Sequence, residues 1–246
     1  MGGRGRAGGG RVRRWDSRGR VRRWYGEAGR GYDERFGRWE AWCVGVFWVL
    51  MLLMWFRLLP FALPLWIVLL PLLWRPIGDA FRGSARRPGR IVATGLVTFV
   101  VLVALANVLV QGILQPMIGA ALGVPLTNLN TAGGMEQLRA QPWLYLLFVV
   151  VGPFEEEVSY RYGLFRLLER VNVPVAHVAT GLVFALQHVV VGWLDGHPDQ
   201  LLLIPGFVTF SVILTLLYRR TGNFLPGFLA HALANGVPLA FVLLSS

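Results

Sequence analysis

From residue 41 to the end of the chain, apolar residues come in long runs broken by short polar or charged segments. They show neither the alternation of a half-buried strand nor the narrow stripe of a surface helix. Runs near the ~20 residues that carry a helix across a bilayer predict membrane-spanning helices. They cover 41–74, Ile91 to Gln115, Trp143 to Arg170 (apolar in its first half), Val175 to Val191, Leu201 to Tyr218 and Phe224 to Leu244. Arg57 and Pro60 interrupt the first, Pro153 the third and Pro205 the fifth. Pro153 should kink its helix and leave the Val149 carbonyl without its usual donor. The segment Pro116 to Gln141, of Gly, Pro, Asn and Thr, reads as a loop, and Asn172 with Pro174 as a tight turn. The predicted fold is all-α, a polytopic transmembrane helical bundle of six to seven spans. The count turns on whether 41–74 crosses twice as a hairpin or re-enters.

Charge orients the spans. The linker 75–90 carries Arg75, Arg82, Arg86, Arg87 and Arg90 against Asp79 alone, which places it in the cytoplasm. Residues 1–40 are Gly- and Arg-rich, with too little apolar surface to offset ordering, and read as a disordered cytoplasmic tail. An even number of crossings must separate tail and linker, so 41–74 is expected to be a helical hairpin or a re-entrant pair. Arg166, Arg170, Arg219 and Arg220 mark further inner turns, whereas Gly192 to Gln200 has no basic residue and suits the outside. The chain thus divides into a tail (1–40), a hairpin with its basic linker (41–90) and a membrane domain (91–246). It is expected to be a multi-pass plasma-membrane protein with a cytoplasmic N-terminus.

Composition agrees: 55% of the 246 residues are hydrophobic and 15% charged, which excludes an ordinary soluble domain. The net charge of +11 lies mostly in the tail. It fits topology and contact with anionic lipid, so the expected partners include the bilayer and no nucleic acid. A single cysteine, Cys43, rules out an internal disulfide and a cysteine metal site. No cleavable signal peptide is expected.

The chemistry lies where apolar helices carry ionisable groups. Such groups cost ~3 kcal/mol each in the bilayer and default to function. Glu155, Glu156 and Glu157 stand together, and Glu157 and Arg161 are four apart, in the favourable order on one helix face. Phe184 and His188 are also four apart, as are His231 and Asn235. Glu156 lies fourteen residues before Arg170 and His188 fourteen after Pro174. An antiparallel pair therefore brings them to one height, roughly 20 Å from the turn. Glu156, Glu157, Arg161, His188, His231 and Asn235 should converge on one layer. Asn107 and Gln111 should bridge helices. His177, His197 and Arg57 are expected to play no part, with Arg57 snorkelling.

EEVSYR (Glu156 to Arg161), FALQH (Phe184 to His188) and HALAN (His231 to Asn235) match, in order, the motifs EExxxR, FxxxH and HxxxN. The chain resembles, over about residues 90–244, the CAAX protease and bacteriocin-processing (ABI) family of intramembrane glutamic endopeptidases. One departure is Tyr162 after the motif arginine, where glycine is frequent, with Gly163 next. The resemblance implies hydrolysis of a peptide bond in a peptide or protein substrate, prenylated or not. Glu156 would be the base and His188 would hold the water. Glu157 and Arg161 would brace the helix, and His231 and Asn235 would donate to the oxyanion. No cofactor is expected. A zinc peptidase using one Glu and two His is the alternative, against which no His-Glu-x-x-His spacing occurs. A non-catalytic immunity or scaffold protein is another. A proton-coupled transporter fits less well, since no inverted repeat is apparent.

Overall fold

The computed structural model describes residues 38–59, 66–124 and 126–244. The tail assigned to 1–40 therefore lies, up to residue 37, outside the described residues. Among the described residues there is no strand. The helices are α1 (Arg38–Trp55), α2 (Trp66–Ala85), α3 (Pro88–Leu122), α4 (Leu129–Ala140), α5 (144–168), α6 (Val173–Leu194), α7 (Pro198–Thr221) and α8 (Leu225–Leu244). Of these, α3, α6 and α7 are long and apolar enough to cross a membrane, and α1 and α8 contain shorter apolar stretches. The chain is an integral membrane protein built as a helical bundle.

Among the described residues the runs expected to span are largely helical, residues 60–65 of the first lying outside them, and two segments differ from expectation. The supposed loop Pro116 to Gln141 is largely helix. Its first part continues α3 to Leu122, where Gly123 closes the helix in the left-handed conformation (φ 67°) that glycine adopts without a side-chain clash. Its second part is α4, capped by the Asn128 side chain, which accepts from the Thr131 N–H. Apolar periodicity gave no sign of α4 because the helix is almost wholly polar or small. Buried Gln200 supplies the missing anchor, donating to the Thr127 carbonyl at 2.7 Å and accepting from the Leu129 N–H at 3.2 Å. The linker 75–90 is likewise helical to Ala85, as part of α2.

Helix ends are tied together in two sets. At one end of the bundle, Arg57 follows α1 and pairs with Asp195, just after α6, at 2.7 Å. Arg57 therefore does not simply snorkel. It takes a left-handed backbone (φ 57°), uncommon for a residue with a side chain, where the chain leaves α1. At the other end, Asn223 between α7 and α8 donates to the Ala80 carbonyl (3.2 Å) and Ser84 hydroxyl (2.8 Å) of α2. Since α7 runs from one of these ends to the other, the C-terminal ends of α1 and α2 lie at opposite ends of the bundle. The amide that bridges α3 to α7 is Gln115, donating to the Leu202 carbonyl at 2.9 Å, with Gln111 against Gly206. Asn172 caps α6 by accepting from the Val175 N–H, as the tight turn required.

The site-bearing helices α5, α6, α7 and α8 meet around aromatic rings. Trp48 of α1 lies 4.8 Å from Tyr160 of α5, and Phe184 of α6 stacks on Phe210 of α7 at 5.9 Å. In a Cys43→Ser background, Arg57→Cys and Asp195→Cys are expected to react with an impermeant thiol reagent from one side of the membrane and Ser84→Cys from the other. Labelling of all three from one side would contradict this placement of the two ends.

Candidate active site

The site begins with the backbone of α5. Two stretches, Leu147–Val151 and Val158–Phe165, are π-helical, with each N–H reaching one residue further back than in an α-helix. The Gly152 N–H accordingly meets the Leu147 carbonyl. In this register the carbonyl that Pro153 leaves without a donor is that of Phe148, not the Val149 carbonyl expected from α-helical counting. Asn235 of α8 fills the vacancy, its Nδ2 donating to Phe148 O at 3.2 Å. A polar residue of the HALAN motif thus repairs the proline break and docks α8 on α5. One Nδ2 proton of Asn235 remains for another acceptor.

The second π stretch explains the displaced glycine. A π-turn accommodates one residue more than an α-turn, so Tyr162 can occupy the position after Arg161 while Gly163 serves the close contact. A Cβ on Gly163 would meet the indole nitrogen of Trp48 at 3.4 Å. Tyr162 is buried and packs edge-on against Tyr218 (5.4 Å) and Phe224 (5.3 Å).

Glu157 and Arg161 are both wholly buried and paired as their spacing required. Arg161 Nε donates to Glu157 Oε2 and Nη2 to Oε1, each at 3.1 Å. Arg161 Nη1 donates to the Ser211 hydroxyl of α7 at 3.2 Å, which ties a second helix to the pair. Removal of two charges from water is offset only by such two-pronged geometry with further partners. His231 of α8 completes the arrangement. Its Nδ1 lies 3.2 Å from Glu157 Oε1 and its Nε2 3.6 Å from Glu156 Oε2. With Nδ1–H donated to Glu157, Nε2 is turned to Glu156. Gly227 makes this approach possible, because a Cβ there would stand 2.9 Å from Glu157 Oε2.

His188 is on the same helix face as Phe184 but does not contact the carboxylates by hydrogen bond. Its Nδ1 lies 2.8 Å from the Phe184 carbonyl, and its ring stacks on Phe207 at 4.4 Å. A carbonyl only accepts, so Nδ1 carries the proton and the neutral ring keeps Nε2 as an acceptor. The Phe184 ring touches both histidines, with centroids 4.6 Å from His188 and 6.2 Å from His231. The residue that meets Glu156 from α6 is Gln187, whose Nε2 donates to Glu156 Oε1 at 3.1 Å. The height estimated from the turn was correct and the rotational phase differed by one residue. Tyr160 donates its hydroxyl hydrogen to Gln187 Oε1. Gln187, Tyr160 and Ser211 escaped the sequence reading, although Gln187 and Ser211 carry the same signal as the motif residues, a polar group within an apolar helix. Glu155 turns elsewhere and accepts from Ser159 Oγ at 3.0 Å. His177 packs on Phe165 at 4.9 Å, and His197 precedes α7.

Residues 138–237 match the model of a family described as type II CAAX prenyl endopeptidase, Rce1-like. That segment is similar to this family. The Rce1-like domain runs from the end of α4 into α8 and holds all three motifs. It is narrower than the resemblance read from the sequence over 90–244, and leaves α1, α2 and α3 outside. No curated protein and no solved structure matches the chain. The family that the segment resembles is one of endopeptidases, hydrolases of peptide bonds.

Two substitutions test the geometry of the Rce1-like domain. Arg161→Ala leaves the Glu157 charge buried without its partner and is expected to cost about 3–5 kcal/mol, read as a lost thermal transition or lost membrane level. Gly227→Ala pushes against a carboxylate already held by Arg161 and is expected to destabilise by about 1–3 kcal/mol. A Gly227→Ala protein that melts with the wild type would show that α8 does not depend on this contact.

Proposed function

We propose that the protein is an intramembrane endopeptidase in which Glu156 activates water, acting on CAAX-type or related protein substrates. The observation that carries this reading is the buried chain Arg161–Glu157–His231–Glu156, assembled from α5 and α8 within the Rce1-like domain. Hydrolysis needs a base, a held water and donors for the oxyanion. Water beside Glu156 gives its proton to that carboxylate as the oxygen adds to the scissile carbonyl carbon. Collapse of the tetrahedral intermediate breaks the C–N bond, and the proton held by Glu156 passes to the leaving amine. The products are a carboxylate and an amine, and Glu156 is regenerated. His188, through the free lone pair of Nε2, accepts a hydrogen bond from the same water. The remaining Asn235 N–H and a proton carried on His231 Nε2 are the donors assigned to the oxyanion. Glu157 and Arg161 do not react; they hold His231.

The substrate is a peptide or protein segment that reaches the site from the bilayer or its inner face, and a prenyl anchor would deliver it there. The proposed location is the plasma membrane, with the N-terminus in the cytoplasm. Hydrolysis is proposed to proceed without a metal.

Purified protein is tested on quenched CAAX-type peptides with and without a farnesyl cysteine. Cleavage is expected to survive a strong zinc chelator and to fall roughly 100- to 10,000-fold in Glu156→Gln. Loss of cleavage on chelation, with activity restored by zinc, would instead establish a metallopeptidase. Equal cleavage by Glu156→Gln would remove Glu156 as the base.

A further inference from the structure

The Glu156 carboxylate has two oxygens in different surroundings, and a pair of residues at variable positions of two of the motifs makes them so. Oε1 accepts from Gln187 Nε2 at 3.1 Å, whereas Oε2 faces His231 Nε2 across 3.6 Å. An amide can turn either its oxygen or its nitrogen toward a neighbour, and only the nitrogen suits a carboxylate. Tyr160 makes that choice. Its hydroxyl is bonded to Gln187 Oε1, and an amide oxygen accepts only, so the hydrogen comes from tyrosine. With its oxygen occupied, Gln187 must present Nε2 to Glu156.

Tyr160 is itself fixed. It is 1% exposed and its ring lies 4.8 Å from Trp48 and 5.1 Å from Phe184. Trp48 belongs to α1, outside the Rce1-like domain, so the N-terminal hairpin reaches the site through this ring. Glu155 is occupied with Ser159 and does not compete for the amide.

We propose that Tyr160 and Gln187 are positioning residues that hold the Glu156 carboxylate by Oε1 and leave Oε2 as the atom that takes the proton from water. The assignment rests on the hydrolytic reading above, in which Glu156 is the base. Tyr160 acts only through Gln187, and neither residue touches substrate, so their loss slows turnover and leaves binding alone.

The test uses full-length protein and the farnesylated CAAX-type peptide. Tyr160→Phe keeps the ring between Trp48 and Phe184 and removes only the hydroxyl. Its kcat is expected to fall about tenfold, the scale of one hydrogen bond, with KM unchanged. Gln187→Met, similar in shape and unable to donate, is expected to lower kcat by at least as much. The double variant should be no slower than Gln187→Met, because tyrosine has nothing left to orient. Wild-type kcat in Tyr160→Phe, or effects that multiply in the double variant, would overturn the proposal. A second readout does not need activity. The carboxylate stretching band of Glu156 is isolated by infrared difference against Glu156→Gln. It is expected to move in both Tyr160→Phe and Gln187→Met, and an unmoved band in both would overturn the proposal. If wild type cleaves nothing, the hydrolytic reading fails while the band still decides whether the pair holds Glu156.

Discussion

The Glu157–Arg161 ion pair is the constraint on which the rest of the site depends. Neither residue is exposed, and burial of two charges in an apolar bundle is favourable only if every donor and acceptor is placed. The two-pronged contact meets most of that demand, Ser211 takes a further Arg161 donor, and His231 takes a further Glu157 acceptor. The pair therefore dictates where α7 and α8 stand relative to α5. Gly227 is the sequence's concession to it, since any side chain would intrude on the carboxylate. His231, once fixed by Glu157, is brought against Glu156 by its other nitrogen.

A second constraint runs along the backbone. Pro153 frees a carbonyl inside an apolar helix, where no water can satisfy it. The π register of α5 moves that vacancy to Phe148, and Asn235 closes it. The same register carries Tyr162 into the core while Gly163 keeps its approach to Trp48. A helix interrupted in this way serves the site: its proline break is closed by α8, the helix that supplies His231.

The fold was largely legible because a bilayer leaves few options, and long apolar runs become helices with charge marking their turns. The spacing of Glu157 and Arg161 specified their pairing, and the turn at Asn172 set Glu156 level with the FALQH segment. What the pattern could not give was rotation. Gln187, not His188, meets Glu156, because a one-residue step turns a helix face by about 100° and depth counting does not resolve it. The π stretches were equally hidden, since no apolar period announces an i→i−5 bond, and they moved the orphan carbonyl by one residue. Helix α4 was missed because its start is fixed by Asn128 and Gln200, which no apolar pattern announces.

The central claim is that the buried pair exists to hold His231 against Glu156, over and above any contribution to stability. It is tested most directly by replacing both members together, Glu157→Gln with Arg161→Met, so that no unpaired charge is left behind. Thermal stability and the rate of cleavage of the farnesylated peptide are then measured on the same preparation. A melting temperature close to that of the wild type, with kcat reduced by roughly 100-fold or more, is the expected result. A double variant that melts normally and cleaves at the wild-type rate would show that the pair does not orient the site, and would contradict the account.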